Sequence, residues 1–556
     1  MNRACRPVDS CLRVLKRLSV VSAAALVPAP AGPIMADLED GRVGPASPSG
    51  AQLSQMRADL GDTFASGLTR SYEWRRGQLK ALEQMLVQNR DALCAAVFED
   101  LGKSDVEVDC SELIPCLNEV RCAISHLRSW MRPQWIHPNF LNIFGVSTVR
   151  RVARGTALIM GVWNFPIQLT VLPMVGALAA GNCMVVKPHR YCDSTLRLLV
   201  RLIPRYLDER AVRMCSGTRV VTSHLLSMPW DFVFFTGSPK VGRIIAVAQA
   251  PFLTPMVLEL GGKSPVVVTA DADLAVAARR ICWGSFAVGS GQTCLRPDYL
   301  LVHESVAEEL LGEMTRVLMG MFGSDPGRDW GRSKWYARIV SDAVYAEKTQ
   351  LLRASRADPA CRLVVGGHAD ASTKFISPTI FDFGSDRSAF EASALMADEV
   401  FAPILPVLRY ARLDDALQLV NARPQPLAVY IFSRTTATLE RCIDATRSGA
   451  VCANDVLMHF VNKHLPFGGV GNSGLGSYHG KHSFDAFTHA RAVLWKSSID
   501  KVPNNCRYPP WDNRCKRRLL LQAMDDRTCT GIWVVSSCCA LLVLIGLASA
   551  VLSSTR

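Results

Sequence analysis

Residues 157–166 read Ala157-Leu158-Ile159-Met160-Gly161-Val162-Trp163-Asn164-Phe165-Pro166, a short apolar run that ends in a glycine and a polar loop. Two similar apolar runs follow at 183–186 and 232–235, and helix-like segments occupy 169–180 and 195–206. Short buried strands that alternate with helices predict a parallel sheet with helices on both faces. Sheets of this kind bind ligands beyond the carboxyl ends of their strands.

Each of these three strands is followed by residues that suit a ligand site. Asn164 follows the first strand, and its amide could donate to a developing oxyanion, although an isolated Asn more often closes a turn. Lys187 ends the second strand and places a cation where a nucleotide ribose or phosphate would lie. The third strand leads into Gly237, Ser238 and Gly242, where the N–H groups of a helix start favour a phosphate. This spacing differs from the G-x-G-x-x-G fingerprint and is a weak signal by itself.

A single acidic residue, Glu259, stands between Leu258 and Leu260 and before two glycines. A carboxylate among leucines must be either desolvated or paired. Desolvation raises a carboxyl pKa and makes Glu a general base near neutral pH. The alternative is a structural ion pair, for which Lys263 is the candidate.

The stretch Ser290-Gly291-Gln292-Thr293-Cys294 places a thiol on a glycine-containing loop between a helix-like run and the strand-like run 299–302. A cysteine on such a loop can meet a ligand, and its thiolate is a strong nucleophile. Loop cysteines are common, so the motif depends on the other residues for its meaning.

Asn164, Glu259 and Cys294, in this order and spacing, resemble the motifs of aldehyde dehydrogenases, and the resemblance extends from about residue 60 to 495. Residues 456–459 read Val-Leu-Met-His, and residues 465–480 read Leu-Pro-Phe-Gly-Gly-Val-Gly-Asn-Ser-Gly-Leu-Gly-Ser-Tyr-His-Gly. These runs are similar to the class-3 branch, which includes the membrane-bound fatty aldehyde dehydrogenases.

The resemblance implies NAD(P)-dependent oxidation of aldehydes to carboxylic acids through a thiohemiacetal and a thioester on Cys294. Asn164 and the Cys294 main-chain N–H would hold the oxyanion, and Glu259 would activate the hydrolytic water. The cofactor is expected to be NAD or NADP, and no metal is expected. The cofactor-binding residues that the resemblance implies are Trp163, Lys187, Gly237, Ser238, Gly242, Glu399 and Phe401.

The chain departs from the class-3 pattern at three places. Lys-Pro-Ser-Glu is replaced by a segment in which Arg190 takes the place of the acid, and Arg190 suits a 2′-phosphate rather than ribose hydroxyls. Ala402 stands where the pattern has glycine. The loop 287–291, close to the nucleophile, is one residue longer than usual.

The predicted fold class is α/β and aldehyde dehydrogenase-like: two doubly wound α/β domains, a small oligomerisation arm and a C-terminal transmembrane helix. A homodimer is implied by the same resemblance. The expected divisions are an N-terminal extension (1–52), a cofactor-binding Rossmann-like domain with part of the arm (53–258), a catalytic domain (259–455), a return segment and arm (456–496), a basic linker (497–530) and a transmembrane anchor (531–553).

The two ends of the chain carry the signals for location. Residues 1–34 are basic and then apolar, which is typical of an organelle-targeting segment or of an unstructured extension. Residues 532–552 are strongly apolar and follow a basic cluster, so a membrane helix with the catalytic part facing the cytosol is predicted, with the endoplasmic reticulum as one candidate. A membrane anchor favours medium- to long-chain fatty aldehydes as lipophilic substrates.

Composition excludes several other classes of protein. The chain has 556 residues, of which 49% are hydrophobic and 20% charged, so it is globular and too long for one core. Its net charge of +13 comes without an aromatic-interleaved basic stripe, so no nucleic-acid partner is expected. The 19 cysteines show no paired spacing, which favours reduced thiols over a disulfide framework.

Two other functions remain compatible with the sequence. One is an esterase or an acyl transfer to coenzyme A by the same thioester chemistry, and the other is a non-catalytic, membrane-anchored binding protein that retains the fold. Replacing Cys294 by Ala separates an enzyme from a binding protein.

Overall fold

Most of the chain is built on two largely parallel sheets. A computed structural model describes residues 48–142, 145–496, 498 and 504–525. The strands in this part are β1 (Gln134–Ile136), β2 (Gly145–Ala153), β3 (Thr156–Met160), β4 (Cys183–Lys187), β5 (Val212–Met214), β6 (Phe232–Gly237), β7 (Met256–Leu260), β8 (Ser264–Val268), β9 (Pro297–His303), β10 (Arg362–Val365), β11 (Ala369–Asp370), β12 (Phe375–Ile376), β13 (Thr379–Asp382), β14 (Ile404–Tyr410), β15 (Ala428–Phe432), β16 (Ala450–Ala453), β17 (Gly474–Leu475) and β18 (Thr488–Lys496).

Helices connect these strands and cover the sheets. In chain order, and within the same described residues, they are α1 (Gly50–Ser66), α2 (Tyr72–Gln88), α3 (Arg90–Leu101), α4 (Asp105–Val108), α5 (Ile114–Trp130), α6 (Gln168–Ala180), α7 (Asp193–Tyr206), α8 (Arg219–Leu226), α9 (Pro239–Gln249), α10 (Leu274–Cys282), α11 (Ala307–Phe322), α12 (Asp329–Arg332), α13 (Asp342–Ala357), α14 (Arg387–Ala392), α15 (Ala394–Ala397), α16 (Leu413–Ala422), α17 (Thr436–Ala445), α18 (Lys481–Ala486) and α19 (Arg514–Met524).

The first sheet has the strand order β17-β7-β6-β3-β4-β5 and is parallel except for β17, which pairs antiparallel with β7. The three apolar runs predicted as strands form β3, β4 and β6, and β3 is buried along its whole length. The chain moves outward from β3 through β4 to β5 and then returns to β6 on the other side of β3. This reversal of direction creates a crevice at the carboxyl ends of the strands, which is where such sheets bind ligands.

The second sheet has the order β10-β13-β14-β9-β8-β15-β16, with only β10 antiparallel to its neighbour. Three residues, 261–263, separate the end of β7 from the start of β8. The carboxyl end of a strand in the first sheet is therefore joined almost directly to the amino end of a strand in the second. The prediction of an α/β fold with two parallel sheets is confirmed.

Apolar residues at helical spacing also predict one helix over 71–101, with Gly102 as its stop, and another over 111–131, and both differ in detail from the observed helices. The single helix expected over 71–101 is interrupted at Asn89, whose side-chain amide donates to the Met85 carbonyl (2.8 Å) and to the Tyr206 hydroxyl (3.1 Å). The predicted start and stop are right, because the Ser71 hydroxyl accepts from Trp74 N–H and Gly102 ends α3 with φ 66°. The helix expected over 111–131 is α5, preceded by a π-helical turn (Asp109–Leu113).

The first helix begins within the segment expected to be an extension. Ser49 caps α1 by accepting from Gln52 N–H at 3.3 Å, and Leu53 and Leu60 are buried. The remainder of that extension, including residues 1–34, lies outside the described residues.

A three-stranded antiparallel sheet, β1-β2-β18, stands apart from the two larger sheets. The segment predicted as a linker contains α19, and Lys496 Nζ donates to Asn504 Oδ1 at 2.6 Å, which ties that segment to β18. No helix among residues 48–142, 145–496 and 504–525 is long and apolar enough to cross a membrane. The predicted transmembrane segment, 531–553, lies outside the residues that the structure describes.

Candidate active site

The Cys294 loop is a tight turn with an unusual backbone. After α10, a π-helical turn (Trp283–Ala287) leads into three consecutive residues with positive φ: Gly289 (59°), Ser290 (50°) and Gly291 (73°). A Cβ on Gly291 would approach the Ser285 carbonyl oxygen to 2.8 Å, so only glycine fits there. Ser290 adopts the left-handed conformation, which costs a residue with a side chain about 1–2 kcal/mol.

Hydrogen bonds hold this turn against the following segment. The Ser290 hydroxyl donates to the Ala337 carbonyl at 2.7 Å. The Gln292 amide donates to the Gly289 carbonyl (3.0 Å) and the Arg338 carbonyl (2.9 Å), and its oxygen accepts from Val340 N–H (3.1 Å). These bonds fix the strained turn, which precedes β9 in the chain, to residues 337–340.

The Cys294 thiol is partly exposed and lies close to two carboxyl groups. Burial, followed by the charges of Glu399 and Glu259, raises the pKa of the Cys294 thiol to about 12. The main-chain N–H groups of Cys294 and Leu295 oppose this shift. The charge of Glu259 therefore acts on Cys294, although the two residues are 35 positions apart in the sequence.

Asn164 reaches the same loop from the end of β3. Its side-chain nitrogen donates to the Gln292 carbonyl at 2.9 Å, two residues before the thiol. Its side-chain oxygen is buried and has no hydrogen-bond partner. The Asn164 amide is therefore aimed at the Cys294 loop, and it does more than close its own turn.

Glu259 lies on β7 and is 3% exposed. Both of its carboxyl oxygens are buried without a hydrogen-bond partner. Burial raises the pKa of Glu259 well above its usual value. The alternative ion pair with Lys263 is wrong, because the Lys263 ammonium donates instead to Asp298 and to the Leu395 carbonyl.

The predicted cofactor residues divide between two parts of the crevice. Trp163 and Phe401 meet edge to face with ring centroids 5.4 Å apart, and burial raises the pKa of Glu399 well above its usual value, while the Gly262 N–H opposes this shift. A Cβ on Gly261 would collide with the Glu399 carboxylate, so a side chain at this position would displace that carboxylate.

The other cofactor residues lie farther along the first sheet. Lys187 ends β4, and burial lowers its pKa. Gly237 ends β6, and Ser238 caps α9 by accepting from Val241 N–H at 3.4 Å. Gly242, on the first turn of α9, faces Leu260 closely enough that a Cβ would clash with its side chain.

The chain is similar in sequence and in fold to proteins of one known family. A model of the aldehyde dehydrogenase family matches residues 63–493. The chain is 39% identical over 461 residues to aldehyde dehydrogenase family 3 comG of Dictyostelium discoideum, covering 83% of this chain and 94% of that protein. It is 37% identical over 483 residues to family 3 member B1 of Homo sapiens, covering 87% and 99%. The substrate-bound structure of Staphylococcus aureus AldH superposes with a TM-score of 0.80 at 35% identity, covering 84% of this chain and 99% of that one.

The chain belongs to the aldehyde dehydrogenase family. Its reaction is the NAD(P)-dependent oxidation of aldehydes, as the motifs predict. The resemblance to the class-3 branch is confirmed as well, because the curated relatives named above are family 3 members.

Several residues of this aldehyde dehydrogenase site had no role in the sequence prediction. Tyr478 is buried with its hydroxyl unpaired, and the charges of Glu259 and Cys294 raise its pKa beyond the effect of burial. Lys103 donates to Glu112 Oε1 (3.0 Å) and to the Asn164 main-chain carbonyl (2.6 Å). Tyr478 lies in a quoted motif, but nothing in the local pattern around Lys103 marks it.

Other features of the described residues bear on cofactor and redox chemistry. Each described cysteine is a free thiol. No group of three His, Cys, Asp or Glu side chains in this part of the chain could hold a metal ion.

The raised thiol pKa gives this aldehyde dehydrogenase a testable reactivity. Because only the thiolate reacts, alkylation of Cys294 by iodoacetamide should rise about tenfold per pH unit and still be rising at pH 10. Mass spectrometry of the Cys294 peptide over pH 7–10 measures this rate. Glu399→Gln removes one negative charge and should move the rise to lower pH. A plateau at or below pH 9 in the parent would contradict the prediction.

Proposed function

We propose that this aldehyde dehydrogenase oxidises medium- to long-chain fatty aldehydes to carboxylic acids through covalent intermediates on Cys294. The observation that supports the proposal is that the Asn164 amide donates to the Cys294 loop while the charge of the buried Glu259 carboxyl acts on the Cys294 thiol. These groups are the nucleophile, the base and the oxyanion donor that such a reaction needs.

The first step assigned to the chain is attack of the Cys294 thiolate on the aldehyde carbon. The carbon–sulfur bond forms as the carbonyl π electrons move to oxygen, giving a thiohemiacetal oxyanion. An amide nitrogen carries two N–H groups, and Asn164 directs one to Gln292, so the other can serve this oxygen together with the Cys294 N–H. Loss of one such donor typically slows turnover by about 10²–10³-fold.

The second step assigned to the chain is release of the acid from the thioester that remains once the thiohemiacetal carbon has lost its hydride to the bound cofactor. Water attacks the acyl carbon, Glu259 takes the proton, and the carbon–sulfur bond breaks to return the thiolate. The unpaired oxygens of Glu259 support this role, because no other group in the described structure satisfies them. Their desolvation makes the carboxylate a stronger base than an exposed one.

NAD or NADP fits the crevice of the first sheet. Lys187 and the start of α9 would hold the nucleotide and its phosphates, and Trp163, Glu399 and Phe401 would hold the nicotinamide end. Glycine at position 261 leaves room for the Glu399 carboxylate, which would contact the ligand at that end. When bound, the cofactor supplies the acceptor for the hydride that leaves the aldehyde carbon.

Two substitutions separate the proposed roles of Cys294 and Glu259. Cys294→Ala should abolish aldehyde-dependent NAD(P)H formation, because no nucleophile remains. Glu259→Gln should retain one burst of NAD(P)H per site and lose about 10²–10⁴-fold in steady-state turnover, because the thioester persists.

Absorbance at rapid mixing and in the steady state measures both effects. Cys361→Ala, which also removes a partly exposed thiol, is the matched control and should behave as the parent chain. Parental activity in Cys294→Ala would refute the nucleophile, and an inactive parent chain would favour the binding-protein alternative.

We propose that Arg190 favours NADP. Arg190 follows His189 beyond β4 and lies 5.8 Å from the centre of the Tyr191 ring. Burial, with the charges of Lys187 and Arg190, lowers the pKa of His189 to about 3, so this imidazole is neutral and adds no competing charge. A guanidinium at this end of β4 can pair with a 2′-phosphate.

The cofactor prediction is tested by charge reversal. We expect the parent KM for NADP to lie within about tenfold of that for NAD, and Arg190→Glu to raise the KM for NADP by about tenfold or more with little change for NAD. Arg201→Glu, an exposed position on α7, is the control. A parent enzyme that uses NADP orders of magnitude less well than NAD would exclude this role.

The chain-length preference is proposed from the apolar tail. Residues 532–552 are long and apolar enough to anchor the enzyme in a bilayer, and each methylene of a lipophilic aldehyde contributes about 0.8 kcal/mol to partitioning there. We propose that the catalytic part lies on the cytosolic side of the membrane, for which the endoplasmic reticulum is the candidate. We also propose an organelle-targeting role for residues 1–34.

Removal of residues 528–556 tests this preference. The full chain with phospholipid vesicles should show kcat/KM rising from short to hexadecyl-length aldehydes. The truncated chain should keep its rate on short aldehydes and lose most of its advantage on long ones, because the substrate is no longer concentrated at the enzyme. Equal rates for both chain lengths in both proteins would contradict the proposal.

We also propose a homodimer that forms through the β1-β2-β18 sheet. This sheet exposes large apolar side chains, with Trp135 72% and Trp495 61% exposed. Clustered exposed aromatics of this kind favour a protein interface.

A further inference from the structure

A second carboxylate reaches the Cys294 loop from a distant part of the chain. Glu107, on the short helix α4, accepts a hydrogen bond from Gly289 N–H through Oε1 at 2.7 Å. The two residues are 182 positions apart. The Ser104 hydroxyl, which accepts from Glu107 N–H at 3.2 Å, fixes the start of α4 and so helps to aim this side chain.

The bond from Gly289 to Glu107 lies on the same turn as the nucleophile and can therefore affect its position. Gly289 is the first of the three residues with positive φ, and Cys294 follows five residues later. Gln292 holds the carbonyl side of Gly289, and Glu107 holds its N–H side. The two peptide groups that flank Gly289, at the entry to the strained turn, are thus each held by a side chain.

Glu107 also belongs to the set of charges that positions Asn164. Burial raises the pKa of Glu107 to about 7, while the Lys103 charge and the Gly289 N–H lower it and Glu112 raises it. Lys103 donates to the Asn164 carbonyl, and Glu112 Oε2 accepts from Ile167 N–H at 2.8 Å. One small group of buried charges therefore contacts both the oxyanion loop and the nucleophile loop.

The turn that receives this contact is costly to order. Residues 289–291 all have positive φ, and Glu107 binds at the first of them. Ordering such a turn costs conformational entropy, and a charged acceptor on its backbone restricts its alternatives.

We propose that Glu107 is a positioning residue, which sets the Cys294 turn for catalysis by holding the N–H of the Val288–Gly289 peptide group. This inference rests on the function proposed for Cys294. Glu107 touches neither the thiol nor any reacting atom, and it acts through the backbone of residues 289–294.

The test uses the full chain without cofactor and compares Glu107→Ala, Glu107→Gln and the control Glu309→Ala, an exposed glutamate on α11. In Glu107→Ala, deuterium uptake by the peptide 286–294 should become faster. Alkylation of Cys294 should rise by about threefold or more, because a loosened turn exposes the thiol and lowers its pKa. Glu107→Gln keeps an acceptor oxygen and should remain near the parent in both measurements.

Turnover supplies the opposing readout. In Glu107→Ala, kcat should fall by about tenfold while the KM for NAD(P) stays within about twofold, since the thiol is more reactive but less well aimed. A variant that had only lost stability would not combine faster alkylation with slower turnover and an unchanged KM.

Parental deuterium uptake and parental alkylation in Glu107→Ala would overturn the inference. If Glu107→Ala cannot be purified, Glu107→Asp takes its place, because the shorter carboxylate must give up or lengthen the bond to Gly289. Failure of the proposed function is recognised separately, by Cys294→Ala retaining aldehyde-dependent NAD(P)H formation.

Discussion

A carboxyl group removed from water and left without a hydrogen-bond partner is costly, and both oxygens of Glu259 are in that state. The backbone that carries it cannot relax. Glu259 lies on β7 between Thr236 of β6 and Gly474 of β17, so its main chain is fixed in the first sheet from both sides. The fold thus holds a desolvated acid beside the Cys294 loop.

The groups around this acid differ sharply in how well they are paired. The oxygens of Glu259, the Asn164 side-chain oxygen and the Tyr478 hydroxyl are buried without partners. Lys103 and Gln292, by contrast, each make two or more hydrogen bonds. The unsatisfied groups belong to Glu259 and to residues whose contacts or charges link them to it or to the Cys294 loop, and the satisfied groups hold the loops. This division is what a preorganised site requires.

The framework was predictable because its signals are local. A short apolar run closed by a glycine is enough to predict β3, and Ser71 and Gly102 mark the ends of a helical region by their own chemistry. The break at Asn89 was not predictable, since it depends on Tyr206, 117 residues away. Periodicity alone continues through that position.

The same distinction applies to the site. Glu259 stands out in the sequence because it is an acid between two leucines. Asn164 and Cys294 stand out because they lie on glycine-containing loops next to apolar runs. The pairing of Lys263 depends on Asp298 and a distant carbonyl, and the contact of Glu107 joins segments that only the tertiary structure brings together. One sequence contains no signal for which acid will meet which amide.

The junction at residues 261–263 has a consequence for how this site can vary. These three residues link the strand of the proposed base directly to the second sheet, whose strand β9 follows the nucleophile. No longer loop lies between the two sheets at this point. Insertions in surface loops change the walls around a substrate while leaving the reacting groups in place. One extra residue between Leu260 and Ser264 would shift one half of the chemistry against the other. The length of this junction therefore fixes the spacing between the strand of the proposed base and the second sheet.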